Sequence, residues 1–462
     1  MKIFKYILPL AAMPLLFVSC SPEEDDLFDA SAIERLEADA ATTMDILCSA
    51  ENGWEMLYFL NDEQDIPCYT LLVKFTRGEQ GGLDGMAQFA SYSDVTGDAY
   101  RLSEESPFTV TLDNSTVLSF NSYNSIFHIF SDPSYQGERG PTDSDYPYDL
   151  GRGMMGDYEF MVVDHSNPDV VMLKGKKRQV YSVLRRLSAD VDWQGYFTQL
   201  NATKTTMFAS NPSPLRLVVG DKSFHLYNGS SSIFQVVDGA TDDAMLTAAT
   251  DWKFVLFSDG LRFITNFDED GVSAGQDFFY NSERTRMESH DENGNLLAYI
   301  DGGDPYWFFN RVNTPDATTG NTAHNWGVTY DGMGATVKAV YDQIYATAWG
   351  QRYNLFEPTF ACLSSVGNVL GITGNGLSFS NVYYSLVKTS DDDARTVTYS
   401  LGDAQRTVSS IFTATDGAME TFYGFFDNGT TYRFETVTPF TLSTIRMINV
   451  ADETISFNVV YK

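Results

Sequence analysis

Apolar positions recur along this chain with two periods, and the shorter one dominates. Ser31 with Glu34 three residues on is a capping-box pair, and Ile33, Leu36, Ala40, Thr43 and Leu47 recur at helical spacing, which predicts an amphipathic helix over 31–48. Beyond it the period falls to two. Phe108, Val110 and Leu112 alternate with Thr109 and Thr111, and Asp113-Asn114 turns the chain into 117–120. Residues 158–163 and 170–173 read as strands joined across His165-Ser166-Asn167-Pro168. Hairpins are predicted at 252–257 with 261–266, turning at Asp259-Gly260, and at 284–288 with 296–300, turning at Asn293-Gly294. Both turns hold the Asx-Gly pair of type I′ geometry, whose two central residues need positive φ. A third hairpin is expected where 422–426 turns at Asn428-Gly429 into 431–435, and the last strand sets Ile455, Phe457, Val459 and Tyr461 on one face. A second helix is predicted from the stripe Val337, Val340, Tyr341, Ile344 and Ala348, closed by Gly350 in the left-handed conformation.

Strand runs outnumber helices roughly three to one and connect as antiparallel hairpins rather than βαβ units, so the fold class is mainly β (α+β), with antiparallel sheet domains and a few packed helices. The expected divisions are 1–19, an export signal; 20–30, an acidic tether; 31–188, a β-rich domain with a leading helix; 189–312, a middle β-rich domain; and 313–462, a C-terminal α+β domain behind a Thr, Asn, Asp and Gly-rich linker. No fixed-period repeat is visible.

The first nineteen residues carry a basic start at Lys2 and Lys5, an apolar stretch from Tyr6 to Val18, and small Ser19 ahead of Cys20. That is an export signal, too short and too Pro-interrupted to span a bilayer. Leu16-Phe17-Val18-Ser19-Cys20 supplies the thiol, the small residue before it and the apolar residues upstream that bacterial lipoprotein processing needs, with Phe17 where Leu is usual. Cys20 is therefore the expected lipidation site, and multiple acyl chains there would anchor the protein durably to a leaflet. Ser21-Pro22-Glu23-Glu24-Asp25-Asp26 follows as a self-repelling tether and resembles the acidic surface-export signal of Bacteroidota lipoproteins.

Without the leader, 28 basic face 62 acidic side chains, a formal charge of −34, which excludes nucleic acid as a natural partner. With Cys20 lipidated, Cys48, Cys68 and Cys362 remain, an odd number that forbids complete internal pairing and contains no Cys-x-x-Cys metal spacing.

Several motifs match catalytic patterns in letters but not in context. Gly151-Arg152-Gly153-Met154-Met155-Gly156 fits G-x-G-x-x-G, yet a strand rather than a helix follows. Gly271-Val272-Ser273-Ala274-Gly275 fits the nucleophile elbow without a helical start after it. Asp291 to Asn295 resembles part of a calcium loop, but the closing glutamate is missing and a hairpin turn explains it. His128, His165, His225, His290 and His324 are dispersed, with no zinc-ligand spacing; His128 is the one to mutate first. The ring clusters Tyr306 to Phe309 and Tyr353 to Phe356 read mainly as core. No catalytic, cofactor or metal residue is assigned.

Four blocks then carry a resemblance: Ser49-Ala50-Glu51-Asn52-Gly53-Trp54; Leu118 to Asn124 running on to His128 and Ser131-Asp132-Pro133; Gly156-Asp157-Tyr158-Glu159-Phe160; and Leu173-Lys174-Gly175-Lys176-Lys177. In this order they resemble a family of Bacteroidota lipoproteins, the domain of unknown function 4302, most sharply over residues 30–190. The resemblance implies a surface lipoprotein encoded near TonB-dependent nutrient-import systems, and it carries over no catalytic residue. The blocks themselves read as strand-and-turn framework, with Gly53 and Gly156 at tight backbone positions and Trp54 and Phe160 as core anchors. The expected protein is a non-enzymatic lipoprotein of the outer membrane, facing outward and binding an extracellular glycan or peptide beside import-system proteins. A hydrolase with an unrecognised carboxylate site and a structural or adhesive module are the alternatives.

Overall fold

A computed structural model describes residues 30–60, 68–79, 81–93, 99–133, 154–209, 214–230, 232–238, 250–269, 272–312, 325–353, 357–378, 382–404 and 408–462. Cys20 and its tether, His324 and residues 354–356 of the second ring cluster lie outside them. Helix α1 (Ala32–Ser49) opens the described chain, and the capping box at Ser31 and Glu34 is present as expected. Its apolar stripe packs only in part: Ala40, Thr43, Met44 and Leu47 are buried, whereas Ile33 is 69% exposed.

Nine strands follow, β1 (Trp54–Phe59), β2 (Cys68–Arg77), β3 (Asp84–Ser93), β4 (Ala99–Leu102), β5 (Ser106–Leu112), β6 (Thr116–Ser119), β7 (Glu159–Asp164), β8 (Val170–Gly175) and β9 (Tyr181–Arg186). All pairings are antiparallel. The sheet runs β2-β1-β9-β8-β7-β6-β5-β3, and β2 also pairs with β3, so eight strands close into a ring with β4 attached to the end of β3. Two further closed antiparallel barrels of eight strands follow, between Leu215 and Asp301 and between Trp326 and Tyr461. The chain is mainly β, as its period-two patterning requires.

Each ring is filled with side chains, as expected for eight strands. In the first, Trp54, Met56 and Tyr58 of β1 point inward with Leu71, Val73, Phe89, Phe120 and Phe160. The Trp54 indole N–H donates to the Leu47 carbonyl at 2.9 Å, tying the end of α1 to the barrel. Four residues along the same strand, Tyr58 packs on Phe127 and Phe130, with ring centroids 5.5 and 5.6 Å away, so the segment after β6 covers the other end.

The opposite face of β1 makes the joint to the second barrel. Leu57 and Phe59 pack with Val183, Val255 and Phe257. Between them, buried Glu55 accepts from Tyr196 and from Ser258 Oγ at 3.4 Å, and pairs with Arg185 at 3.3 Å. Tyr196 belongs to α2 (Trp193–Lys204), a helix whose polar sequence gives little apolar stripe and which Asp192 caps through the N–H groups of Gln194 and Gly195. The second barrel carries an inserted hairpin (Phe267–Glu269 with Val272–Ala274) and has Phe440, from a turn of the third barrel, in its core.

Helix α3 (Pro305–Val312) ends before residue 313 yet sends Tyr306, Phe308 and Phe309 into the third core, so this first ring cluster is largely core as expected. Helix α4 (Ala335–Ala346) matches the predicted stripe. Its end differs: Thr347 stops it in extended conformation and caps α5 (Ala348–Arg352), in which Gly350 is buried rather than left-handed. Short α6 (Val408–Ala414) and α7 (Ala418–Gly424) follow. The expected strand over 422–426 does not form: residues 422–424 end α7 and a turn follows, because Met419, Phe422, Tyr423 and Phe426 recur at helical spacing and bury together.

Turn geometry also departs from expectation. Asp259 and Asn293 do not adopt positive φ, so neither hairpin is type I′; Phe257 pairs with Gly260 across Ser258-Asp259, and Gly294 alone is left-handed at φ 81°. Consecutive positive φ occurs instead at Asp416-Gly417, between α6 and α7, and at Asn428-Gly429, which follows α7.

Candidate functional site

The segment between β6 and β7 is fastened by one buried amide. Asn124 Oδ1 accepts the N–H groups of Ile126 and Phe127 at 3.0 Å each, while its Nδ2 donates to Ser103 Oγ at 3.0 Å, Ser106 Oγ at 3.1 Å and the Glu104 carbonyl at 3.2 Å. Outside it, Ser125 donates its N–H and hydroxyl to the Glu104 carboxylate at 2.9 and 2.8 Å. The loop is thereby rigid where it presents Tyr123 and His128.

His128 is neutral by its partners. Its Nδ1 accepts the Asn124 N–H at 3.0 Å, and its Nε2–H donates to the Phe120 carbonyl at 2.7 Å. Burial pushes its pKa down, so the uncharged ring persists at neutral pH. Tyr123 and Tyr158 flank it with centroids 5.8 and 5.9 Å away and interplanar angles of 33° and 35°. Both tyrosines are exposed, at 69% and 44%, so the three rings form a surface row.

Tyr158 also lines a cleft of about 410 Å³, together with Ser131, Pro133, Met155 to Asp157, Glu159, Lys176, Lys177 and Arg178. Asp157 holds the turn that carries these cations. Its Oδ1 and Oδ2 accept the N–H groups of Lys177 and Arg178 at 3.2 and 2.7 Å, and its own carbonyl accepts the Tyr58 hydroxyl at 2.6 Å. Desolvation outweighs these donors and holds its carboxyl above the ordinary range. Two glycines permit the approach: a Cβ on Gly175 would meet Asp157 Oδ2 at 2.1 Å, and one on Gly156 would meet the Tyr58 hydroxyl at 2.4 Å. Lys176 pairs with Asp113 at 3.0 Å and lies 3.9 Å from Glu159.

Three of the four sequence blocks that carry the family resemblance meet at this cleft. Gly53, with φ 80° and a Cβ that would strike the Val73 carbonyl at 2.5 Å, is a framework residue as expected, and Trp54 and Phe160 are buried. The sequence reading missed the display of Tyr123, Tyr158, Lys177 and Arg178. The signal available was three adjacent cations in an acidic chain, next to tyrosines in turn-rich blocks.

Other candidates resolve differently. The strand after Gly156 leaves G-x-G-x-x-G without a helix, and Val272–Ala274 of the G-x-S-x-G match is a strand. Asp291 takes the N–H groups of Asn293 and Asn295 at 2.9 and 2.8 Å, as a hairpin turn does. His165 binds Asp39 at 2.8 Å, His225 lies 4.4 Å from the Trp307 ring, and His290 is 3.4 Å from Glu288. Cys48, Cys68 and Cys362 are free thiols, and burial raises the pKa of each, to about 12 for Cys68. Among the described residues, no His, Cys, Asp and Glu cluster could hold a metal ion, and no helix is long and apolar enough to cross a membrane.

Compared with known proteins, the chain has no match among curated sequences. A solved structure, the DNA polymerase III beta subunit from Thermotoga maritima, aligns over 92% of this chain and 97% of its own at 8% identity, with a TM-score of 0.13, too low to indicate a shared fold. The family described as Domain of unknown function (DUF4302) matches residues 24–281, which span the first barrel, its cleft and most of the second barrel. With more than half its length so matched, the chain belongs to the DUF4302 family.

Proposed function

We propose that this protein is a lipoprotein of the outer membrane, anchored through Cys20 and facing outward, that captures an extracellular nutrient, glycan or peptide, in the first barrel and passes it to a TonB-dependent import system. One observation carries the binding half of this reading: two exposed tyrosines, Tyr123 and Tyr158, with the half-buried His128 ring between them, lead into a cleft lined by cations. Exposed rings stack on sugars and on peptide side chains, and a concave site with a few fixed polar groups sets orientation. The carboxylates beside the cleft are occupied: Asp157 holds the turn N–H groups and Glu159 faces Lys176. That favours capture over turnover.

The anchor rests on Leu16 to Cys20 and on the acidic run behind it. Palmitate labelling of producing cells tests it: label is expected on the wild type and not on Cys20→Ala, and unlabelled wild type contradicts the anchor. Glycan and peptide arrays probed with the full mature chain test capture. A defined set of hits, lost in the Tyr123→Ala and Tyr158→Ala double variant, is expected; silence on both arrays contradicts it.

A further inference from the structure

The cleft has an unmet demand. Arg178 lines it, and the Nε of this side chain is shielded from solvent with no acceptor among the described residues. A buried donor on a cation left in this way costs more than an ordinary unmade hydrogen bond, so such groups are nearly always satisfied. The guanidinium feels the charge of Asp157, but that carboxylate already receives the N–H groups of Lys177 and Arg178 and forms no ion pair with the Arg178 side chain. Beside it, Lys176 is committed to Asp113, whereas the exposed ammonium of Lys177 has no ion pair among the described residues.

We infer that the ligand supplies a counter-charge to the half-buried Arg178 and the exposed Lys177, and that the cleft takes an anionic oligosaccharide: an acid group of the sugar sits at these two cations, and its rings run along Tyr158, His128 and Tyr123. The inference rests on the capture reading above and adds the ligand class. Three features favour a glycan over an acidic peptide or a polyanion. The ring row is uncharged, because both nitrogens of His128 are engaged, and it presents flat apolar faces to the C–H faces of sugars. The strand beside the cleft, β7, is paired on both sides, with β6 and β8, so an extended peptide finds no free edge to add to. The whole-chain charge of −32 repels a dense polyanion while leaving a local cation pair able to hold a sparsely charged chain.

Calorimetry on the full mature chain tests this with short oligogalacturonate and chondroitin sulfate oligosaccharides, their methyl-esterified and desulfated counterparts, and a Glu-rich peptide. At least one acidic glycan is expected to bind. Neutralising its acid groups, or substituting Arg178→Gln, is each expected to weaken binding about tenfold or more, the scale of one charge-assisted hydrogen bond. The melting temperature of Arg178→Gln should match wild type; if it does not, Lys177→Gln serves as the second variant, with a smaller loss expected. Equal binding of a glycan and its neutral counterpart overturns the acid-specific inference and leaves capture standing. Preference for the peptide overturns the glycan class. No binding to any glycan or peptide overturns both readings.

Discussion

Asn124 joins five partners in two chain segments, 103–106 and its own loop, and its substitution shows how the site is held. Asn124→Ala leaves the N–H groups of Ile126 and Phe127 without their side-chain acceptor and takes a donor from the Ser103 and Ser106 hydroxyls, and a loss of about 3 kcal/mol in stability is expected. The check is a lowered melting temperature together with exposure of the Phe127 segment to proteolysis; an unchanged melt contradicts the hub role. Gly175→Ala acts at closer range. Its Cβ would displace the Asp157 carboxylate from the N–H groups of Lys177 and Arg178, so the cationic wall should shift. Binding of any array hit is expected to fall at least about tenfold, with a melting temperature within a few degrees of wild type; full retention of binding would show that the wall is not part of the site. Framework residues such as Gly53 and Trp54 were legible in the sequence, because a tight turn and a large ring each need a specific environment. Exposure of Tyr123 and Tyr158 was not, since it depends on strands far away in the chain that leave those rings uncovered.

Single elements were legible wherever period and cap agreed. Helix α1 carries both its capping box and its stripe, and α4 carries a full stripe. Helix α7 was read as strand because its ring-rich run suits either period, and the nearby Asn428-Gly429 drew it toward a hairpin. The joint formed by β1, β9 and α2 is the element that pH should report. Burial pushes the Glu55 carboxyl above its ordinary value, and Arg185, Tyr196 and Ser258 oppose this without cancelling it. A proton is thus held more tightly folded than unfolded, so the contribution of Glu55 to stability is fully present below the ordinary glutamate pKa and is lost as pH rises through the raised value. Glu55→Gln keeps the shape and removes the titration. Its melting temperature, relative to wild type, is expected to rise between about pH 4 and pH 7.5; a constant or falling difference would show that the ion pair with Arg185 dominates.

At the scale of the molecule, three eight-stranded rings follow one another without any period in sequence. Each carries its own additions: β4 on the first, the 267–274 hairpin in the second, and α4 to α7 in the third. Such insertions break register between repeats, and ring closure pairs a first strand with a last one far along the chain, as Trp54 of β1 with Arg186 of β9 and Arg216 with Asp301. Local pattern therefore gave strands and turns but not barrels. The rings also depend on one another. Phe440 of the third barrel is buried in the core of the second, 5.5 Å from the Tyr280 ring, and Phe440→Ala is expected to cost about 3 kcal/mol. Hydrogen exchange should show that loss in the second barrel more than in the third; protection lost only around residue 440 would contradict the coupling. The cleft of the first barrel is where ligand is expected to bind. A crystal structure of the mature chain with a hit from the arrays tests this most directly: ligand is expected on Tyr123, His128 and Tyr158 with a polar group at Arg178, and ligand seated on the second or third barrel, with these residues untouched, would contradict it.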